Sequence, residues 1–282
     1  MKWNIVADSS IDLFNMEIDC EDIKFSTVPF VINVGEAEYI DNENLDTNEL
    51  ITAMKKCSSA SCTACPSTDS WYEKFNEEGN VIALTITSGL SGSYNSAYAA
   101  KNMILENNPD KKIVIIDSLS TGPAMVLILR KICELISKDK QFDDVINETR
   151  QYMKHLYTSF VLSSFDNLVK NGRMNKLTGF IANKLGLLGI GIGSEKGTIE
   201  IKGIARGREK AMGIVINDMK QRAAQVKTVV ISHCHNIEFA EKVKTEIQNI
   251  WSDVKVTIIP TRGLCSYYAE KNGLIIGYAS GM

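Results

Sequence analysis

A serine between two glycines stands where a buried strand gives way to a helix. The apolar run VIALTI is followed by TSGLSGSYNSA, residues 87–97, in which Gly89 and Gly92 flank Ser91. Ligands of open parallel sheets bind beyond the carboxyl ends of the strands. Glycines let the backbone turn tightly and a ligand approach, and a serine at a helix N-cap lies beside free backbone N–H groups. The segment therefore predicts an anion site, for a carboxylate or a phosphate.

Two other roles for Ser91 stay open at this stage. The serine could do no more than cap its own helix. It could also be a nucleophile, although the run from Gly89 to Ser93 lacks the final glycine of a G-x-S-x-G elbow. The chain has three histidines, and none stands in a recognisable triad context. Phosphate-loop and dinucleotide-binding glycine motifs are absent, so a serine hydrolase is the alternative kept.

Two groups of residues have side chains that bind metals. They are Cys62-x-x-Cys65 and His233-Cys234-His235, far apart in the chain. A structural zinc site needs four ligands, usually as two regularly spaced pairs. We interpret these residues as small buried side chains and polar groups at strand ends. A metal-dependent hydrolase is the alternative, and a redox role for the cysteine pair lacks a thioredoxin-like helix.

Other polar residues could join an anion site. Thr63 precedes Pro66 on a predicted loop between two helices, before Ser91 in chain order. Arg173 follows the helix stop KNG, and Arg206 follows a predicted strand. Such residues are usually a loop threonine and solvated surface arginines, but an arginine directed into a cleft would hold an anion.

One predicted helix is apolar on more than one face. It is contained in NKLTGFIANKLGLLGI, and the segment 177–192 could line an apolar slot. Packing in an ordinary core is the alternative interpretation. The apolar residues concerned are Leu177, Phe180, Ile181, Leu185, Leu187 and Leu188.

The first half of the chain alternates strands and helices. Strands are predicted at KWNIVADSS, IKFSTVPF, NVIALTI and KKIVIIDS, with a hairpin around Gly35. Helices are predicted at DTNELITAMKKC with Asp46 or Thr47 as cap, at STDSWYEKFNEEG, from SGLSG to Asn107, and at TGPAMVLILRKICELISK. Helices of this length between strands indicate parallel βαβ units. We expect an α/β/α domain with three layers and a mainly parallel sheet over residues 1–155.

The pattern changes near residue 156. Strands are predicted at YTSFVLSS, at LLGIGIGSEKGTIEIKGIAR as a pair around Glu195-Lys196-Gly197, and at KTVVISH, KVTIIPT and GLIIGYA. Helices are predicted at FDNLVKNG, at GREKAMGIVINDMKQRAA and at IEFAEKVKTEIQNIW. We expect residues 156–282 to form an α+β domain with a mixed sheet.

Composition excludes several classes of protein. Of the 282 residues 44% are hydrophobic and 23% charged, which is ordinary for a globular protein, and the net charge is −3. This charge gives no reason to expect nucleic acid or an anionic membrane as a partner. Seven scattered cysteines, with no secretory signal pattern, indicate reduced thiols in a cytoplasmic protein. No apolar run reaches the length of a membrane span, so we expect no insertion.

Taken together, these segments resemble the DegV family of fatty-acid-binding proteins. The resemblance covers the whole chain and depends on the order and spacing of the motifs. They are IVADSSIDL, the Thr-x-x-Pro loop TACP, SGLSGSYNSA, VIIDSLS, FDNLVKNGRMNK and ARGREKA. The family implies two α/β domains with one long-chain fatty acid, such as palmitate, stearate or oleate, buried between them in an apolar tunnel.

The resemblance also implies roles for particular residues. The carboxylate of the fatty acid would be held by Thr63 and Ser91, with Gly92 admitting the head group. Some members present the fatty acid to a separate kinase that makes an acyl phosphate, which links them to phospholipid metabolism. In those members the arginines that match Arg173 and Arg206 serve the head-group region and the partner surface. The implied function is that of a carrier, not an enzyme, with no cofactor besides the bound lipid.

The chain departs from the family pattern near its C-terminus. Many members carry a Thr-His-Thr-Gly-Pro-Gly run near the carboxylate, but this chain reads TRGLCSYYAEKNGLIIGY. The histidine is missing, and Tyr267 or Tyr268 is expected near its place. The departure bears on the head-group network and the kinase partner more than on lipid binding.

Overall fold

Parallel strands and helices build the N-terminal half. The computed structural model describes residues 2–15, 22–57, 59, 61–175 and 186–281. Up to residue 155 the elements described are β1 (Trp3–Asp8), β2 (Ile23–Val28), β3 (Val31–Val34), β4 (Ala37–Ile40), α1 (Thr47–Lys56), β5 (Ser61–Ala64), α2 (Thr68–Phe75), β6 (Asn80–Thr85), α3 (Ser93–Asn107), β7 (Ile113–Asp117), α4 (Pro123–Ser137) and α5 (Phe142–Met153).

Two sheets form in this half. The larger has the strand order β2-β1-β6-β7, and its strands are all parallel. Strands β6 and β7 are almost wholly apolar, as is usual in a parallel sheet that helices cover on both faces. The smaller sheet has the order β4-β3-β5 and is antiparallel. The predicted hairpin around Gly35 joins β3 to β4, and Gly35 has the positive φ of 62° that such a turn requires.

The C-terminal half is built on a mixed sheet. The elements described from residue 156 are β8 (Leu156–Leu162), α6 (Asp166–Lys170), β9 (Leu187–Gly193), β10 (Ile199–Arg206), α7 (Arg208–Arg222), β11 (Val226–His233), α8 (Ile237–Ile250), β12 (Lys255–Pro260), α9 (Gly263–Ala269) and β13 (Leu274–Ser280). The strand order is β10-β9-β8-β13-β11-β12. Only the β11–β12 pair of this sheet is parallel. The predicted fold class, a mainly parallel sheet followed by a mixed one, is confirmed.

Helix α4 packs between the two large sheets. Its first seven residues are all buried, and ten of its side chains are buried in total, which is typical of a helix largely enclosed by its neighbours. One cluster joins it to β1 and β6 of the parallel sheet, to α5, and to Val230 of the mixed sheet. On the other side its backbone meets Gly277 of β13, where an added Cβ would lie 2.5 Å from the amide nitrogen of Ala124. The central helix therefore fixes the two halves against each other.

The predicted elements are found with three differences. Helices α5 and α9 have no counterpart in the sequence predictions. Thr63, predicted on a loop, lies in the edge strand β5 opposite Ile32. The predicted helix in segment 176–185 lies outside the described residues, and the domain boundary near residue 155 stays a prediction. Within the part of the chain described, no helix combines the length and the apolarity of a membrane span.

Candidate functional site

The carboxyl ends of β1, β6 and β7 meet at one edge of the parallel sheet. The buried carboxylate of Asp8, at the end of β1, accepts hydrogen bonds from the backbone N–H of Ile86 at 2.9 Å and the hydroxyl of Ser93 at 2.6 Å. Asp8 therefore ties the end of β6 to the first residue of α3. Burial raises the pKa of Asp8 from 3.8 to about 6, and the hydrogen bonds from Ser10 and Ser93 oppose this rise. This fixes the turn that contains Ser91.

Ser91 lies one residue before the helix N-cap. The sequence predicts Ser91 as the N-cap, but that position belongs to Gly92, and α3 begins at Ser93. The Ser91 hydroxyl oxygen accepts from the Ser93 backbone N–H at 3.2 Å. A hydroxyl that accepts in this way still has its own hydrogen to donate. Ser91 lines a cavity with that hydroxyl at the start of a helix, where an anion is favoured.

Thr63 reaches the same cavity from the small antiparallel sheet. Its hydroxyl lies 2.8 Å from the hydroxyl of Tyr268, on α9. The ring of Tyr268 meets that of Tyr267 edge to face at 4.9 Å between centroids. The structure therefore brings together a threonine from the N-terminal half and a tyrosine from the segment where the family's histidine is missing.

Arg173 joins the two halves beside these hydroxyls. It is half-buried, it lines the cavity, and its Nε donates to the backbone carbonyl of Leu90 at 3.1 Å. A second hydrogen bond runs from Nη1 to the carbonyl of Asn171. These contacts hold the guanidinium next to the SGLSG turn, so that its positive charge lies at the polar end of the cavity.

Beyond the polar residues the cavity is apolar. Its walls come from both halves of the chain. The apolar side chains include Phe30, Ile86, Phe160, Leu162, Ile199 and Ile275.

The turn between β9 and β10 closes one side of this cavity. The Thr87 hydroxyl donates to the carbonyl of Gly197 at 2.9 Å. Gly197 has a φ of 70°, and an added Cβ there would lie 2.0 Å from the Thr87 oxygen. An added Cβ on Gly89 would lie 3.1 Å from that same carbonyl oxygen. A side chain at position 89 would therefore crowd this contact between the halves.

Two buried carboxylates anchor the start of α9. Asp41 accepts from the backbone N–H groups of Gly263 and Leu264, at 2.8 and 2.9 Å, and Asp12 accepts from that of Arg262 at 2.7 Å. Burial raises the pKa of Asp41 to about 6 and that of Asp12 to about 7. These acids belong to the N-terminal half, so they hold α9, and with it Tyr268, against the wall that carries Thr63.

The other predicted site residues are placed differently. Gly92 and Arg206 are not among the described residues that line the cavity, and Arg206 is exposed at the end of β10. Leu187 and Leu188 lie in β9 and are not among the described lining residues, and Leu188 packs against a core cluster, in line with the alternative interpretation. The rest of β9 is rich in glycine. An added Cβ on Gly191 would lie 2.3 Å from the ring of Phe160, which is the side chain that lines the cavity there.

The cysteine and histidine groups are not among the described residues that line the cavity. Cys62 and Cys65 are free thiols, and Cys234 is buried. The His233 ring accepts from the backbone N–H of Asn236 at 3.2 Å, which is a local contact. No histidine stands in the described lining. The described residues contain no group of three or more His, Cys, Asp or Glu that could hold a metal ion.

Known proteins match this chain over almost its full length. The family model described as "Uncharacterised protein, DegV family" matches residues 2–280. The chain belongs to the DegV family. A DegV domain-containing protein of Streptococcus pyogenes is 37% identical over 278 residues, which are 99% of each chain.

Two similar solved structures contain fatty acids. The Streptococcus pneumoniae fatty acid kinase (Fak) B3 protein, loaded with linoleic acid, is 35% identical, covers 100% of both chains and has a TM-score of 0.97. A DegV family protein of Eubacterium eligens, loaded with heptadecanoic acid, is 33% identical, covers 99% of this chain and 100% of its own, and has a TM-score of 0.94. The predicted family and its link to fatty acids as ligands are therefore confirmed.

Several residues of the site could not be predicted from local patterns in the sequence. Most of the apolar lining comes from separate elements, such as Phe30, Phe160 and Ile275, and no short motif joins them. Tyr268 was signalled only by its place in the segment that departs from the family pattern. Asp12 stands in the motif IVADSSIDL but was assigned no role, and Asp41 carried no signal, because their partners are backbone N–H groups more than 200 positions away.

Proposed function

We propose that this chain binds one long-chain free fatty acid such as palmitate, stearate or oleate. The carboxylate is held by Thr63 and Ser91 next to the start of α3, where Gly92 is the N-cap residue. The positive charge of Arg173 lies nearby. The acyl chain occupies the apolar cavity between the two halves of the molecule. The chain acts as a carrier that presents the fatty acid to a kinase.

The observation that carries this proposal is the polarity of the cavity. The hydroxyls of Thr63, Ser91 and Tyr268 and the guanidinium of Arg173 lie in one part of its wall, and most of the remaining lining is apolar. Other hydroxyls in the lining, such as those of Thr87 and Thr121, donate to backbone carbonyls of the protein. A buried carboxylate needs hydrogen-bond donors, because an unpaired charge is costly to remove from water. An acyl chain needs the opposite environment. A fatty acid is the ligand class that has both parts in this order.

The energetics agree with tight binding. Burial of about fifteen methylene groups at about 0.8 kcal/mol each gives on the order of 12 kcal/mol. Association and ordering of the chain offset several kcal/mol of this. The remainder is sufficient for submicromolar affinity, provided that the carboxylate is satisfied by the polar residues described.

The carrier role is supported by a relative and by the arginines. One similar structure is named as a fatty acid kinase B3 protein and was loaded with linoleic acid. Arg206 is exposed outside the cavity, so we assign it to the surface that meets the kinase, whereas Arg173 serves the head group. We place the protein in the cytoplasm and the domain boundary near residue 155, between α5 and β8.

We propose no catalytic step for this chain. Ser91 accepts a hydrogen bond from a backbone N–H, and the described lining offers no histidine to remove its proton. The alternative, a serine- or metal-dependent hydrolase, predicts turnover of an acyl ester that Ser91→Ala abolishes, or one bound zinc per chain. We expect neither in an ester-hydrolysis assay or in elemental analysis.

Removal of both hydroxyls tests the site directly. We expect Thr63→Ala with Ser91→Ala to weaken oleate binding at least about tenfold, because two hydrogen bonds to a charged group are lost. Titration calorimetry measures this. Ser88→Ala is the matched control, since Ser88 is an exposed serine of the same turn outside the described lining. Unchanged affinity in the double variant would remove Thr63 and Ser91 from the site.

A further inference from the structure

A tyrosine hydroxyl lies at the polar end of the cavity. Tyr268 is half-buried and lines the cavity beside Thr63, and the two hydroxyl oxygens are 2.8 Å apart. The charge of Arg173 is close enough to act on the Tyr268 hydroxyl. Tyr268 therefore borders the space in which a carboxylate held by Thr63 would lie.

The two hydroxyls have one hydrogen to spare. Each carries a single hydrogen, and the contact between them uses one, whichever is the donor. The second hydrogen is left for a ligand. A hydroxyl that donates to an anion while it accepts from another hydroxyl is polarised, and the two hydrogen bonds strengthen each other. An anionic oxygen is the acceptor that gains most from such a pair.

Tyr268 remains a neutral donor at physiological pH. Burial raises the pKa of its hydroxyl above the ordinary value of 10, although Thr63 and Arg173 oppose the rise. The ring therefore brings no negative charge to an anion site. Its edge-to-face contact with Tyr267 holds the ring in place.

The neighbouring residue, Tyr267, makes structural contacts instead. Tyr267 is fully buried, and its hydroxyl lies 2.7 Å from that of Ser61 and accepts from the Asn171 side chain at 3.0 Å. It is not among the described residues that line the cavity. These contacts hold α9 against β5 and the end of α6. Tyr267 is therefore a structural residue and provides a matched control.

We propose that Tyr268 and Thr63 act as a paired hydroxyl donor that binds the carboxylate of the fatty acid. The inference rests on the proposed function and extends it, because it assigns Tyr268 a part in selecting free acids over neutral esters. In this chain a tyrosine on α9 completes the head-group site.

Two ligands and two variants test the pair. We expect Tyr268→Phe to weaken binding of oleate about tenfold and binding of methyl oleate by less than about twofold. The reason is that the lost hydroxyl interacts with the carboxylate and not with the acyl chain. We expect Tyr267→Phe to change the affinities for both ligands by the same factor, because it acts through packing. Titration calorimetry on each folded variant gives these ratios, and near-ultraviolet circular dichroism verifies the fold.

Titration of the bound ligand adds a measurement that packing would not change. Oleate labelled with ¹³C at the carboxyl carbon reports its own pKa by NMR when bound. Loss of a donor to the charged form raises that pKa, so Tyr268→Phe is expected to raise it by about one unit relative to wild type. Equal affinity for oleate in wild type and Tyr268→Phe, or an equal loss for acid and ester, would overturn the inference. A wild-type protein that binds neither ligand would instead overturn the proposed function itself.

Discussion

Single residues decide what the polar end of the cavity can hold. Two arginines were predicted at the site, and the structure separates them. Arg173 is half-buried in the cavity wall beside Leu90, whereas Arg206 is exposed at the end of β10. The two arginines therefore lie in different environments, so substitution of Arg173 and substitution of Arg206 should have different effects on fatty-acid affinity.

We expect Arg173→Gln to weaken oleate binding about tenfold, because a hydrogen bond to a charged group is worth roughly 1.5–3 kcal/mol. The loss should be larger at low ionic strength, where the positive charge is less screened. We expect Arg206→Gln to leave oleate affinity unchanged within about twofold, since an exposed charge contributes little. A fluorescent fatty-acid displacement assay measures both. Equal losses in the two variants would contradict the assignment of Arg173 to the head group.

The motifs predicted which residues belong to the site better than they predicted the secondary structure around them. Ser91 and Thr63 were found from the sequence, and both line the cavity. Ser91 was predicted as the N-cap, but the helix begins one residue later. Thr63 was predicted on a loop because β5 has only four residues, too few to show an alternating pattern. Its place in a strand depends on pairing with β3, which is distant in sequence.

Elements hold the site through close contacts between the two halves. Helix α4 approaches β13 so closely that Gly277 has no room for a side chain. Helix α9 has only seven residues and depends at its start on Asp41 and Asp12. Neither contact follows from a local pattern, which explains why the sequence predicted α4 and β13 but not how they pack, and missed α9 altogether.

Two glycine substitutions test this packing. We expect Gly277→Ala to lower the free energy of unfolding by about 1–3 kcal/mol, because the new Cβ would meet backbone atoms of α4 and the helix must move. Gly213→Ala is the matched control. Gly213 lies in α7 with no atom within 4 Å of an added Cβ, so alanine should raise the free energy of unfolding by about 0.5–1 kcal/mol. Urea denaturation measures both. A stabilising Gly277→Ala would mean that α4 and β13 are not in close contact.

The molecule buries three acids, and two of them, Asp12 and Asp41, lie where its halves meet. Asp8, Asp12 and Asp41 are fully buried, and burial raises all three pKa values from 3.8, to between about 6 and 7. Folding therefore favours their protonated forms. The stability that these groups contribute is fully present below pH 3.8 and is lost as the pH rises through about 6 to 7.

The substitution Asp12→Asn isolates this effect. Asparagine keeps the oxygen that accepts from Arg262, tolerates the left-handed φ of 64° and does not ionise. We expect the free energy of unfolding of the variant, minus that of wild type, to rise by about 2 kcal/mol between pH 5 and pH 8. Subtracting the wild-type value removes the pH dependence that other titrating groups give to both proteins. One such group is His233, whose pKa is lowered by burial. A difference that does not change with pH, measured by urea denaturation, would contradict the raised pKa of Asp12.

The central claim is that the cavity holds a free fatty acid. Native mass spectrometry of the purified protein, followed by organic extraction and identification of the released molecule, tests it most directly. We predict about one long-chain fatty acid per chain, and its identity would report the preferred length and saturation. A protein that carries no lipid and also fails to take up added oleate or palmitate would contradict the account.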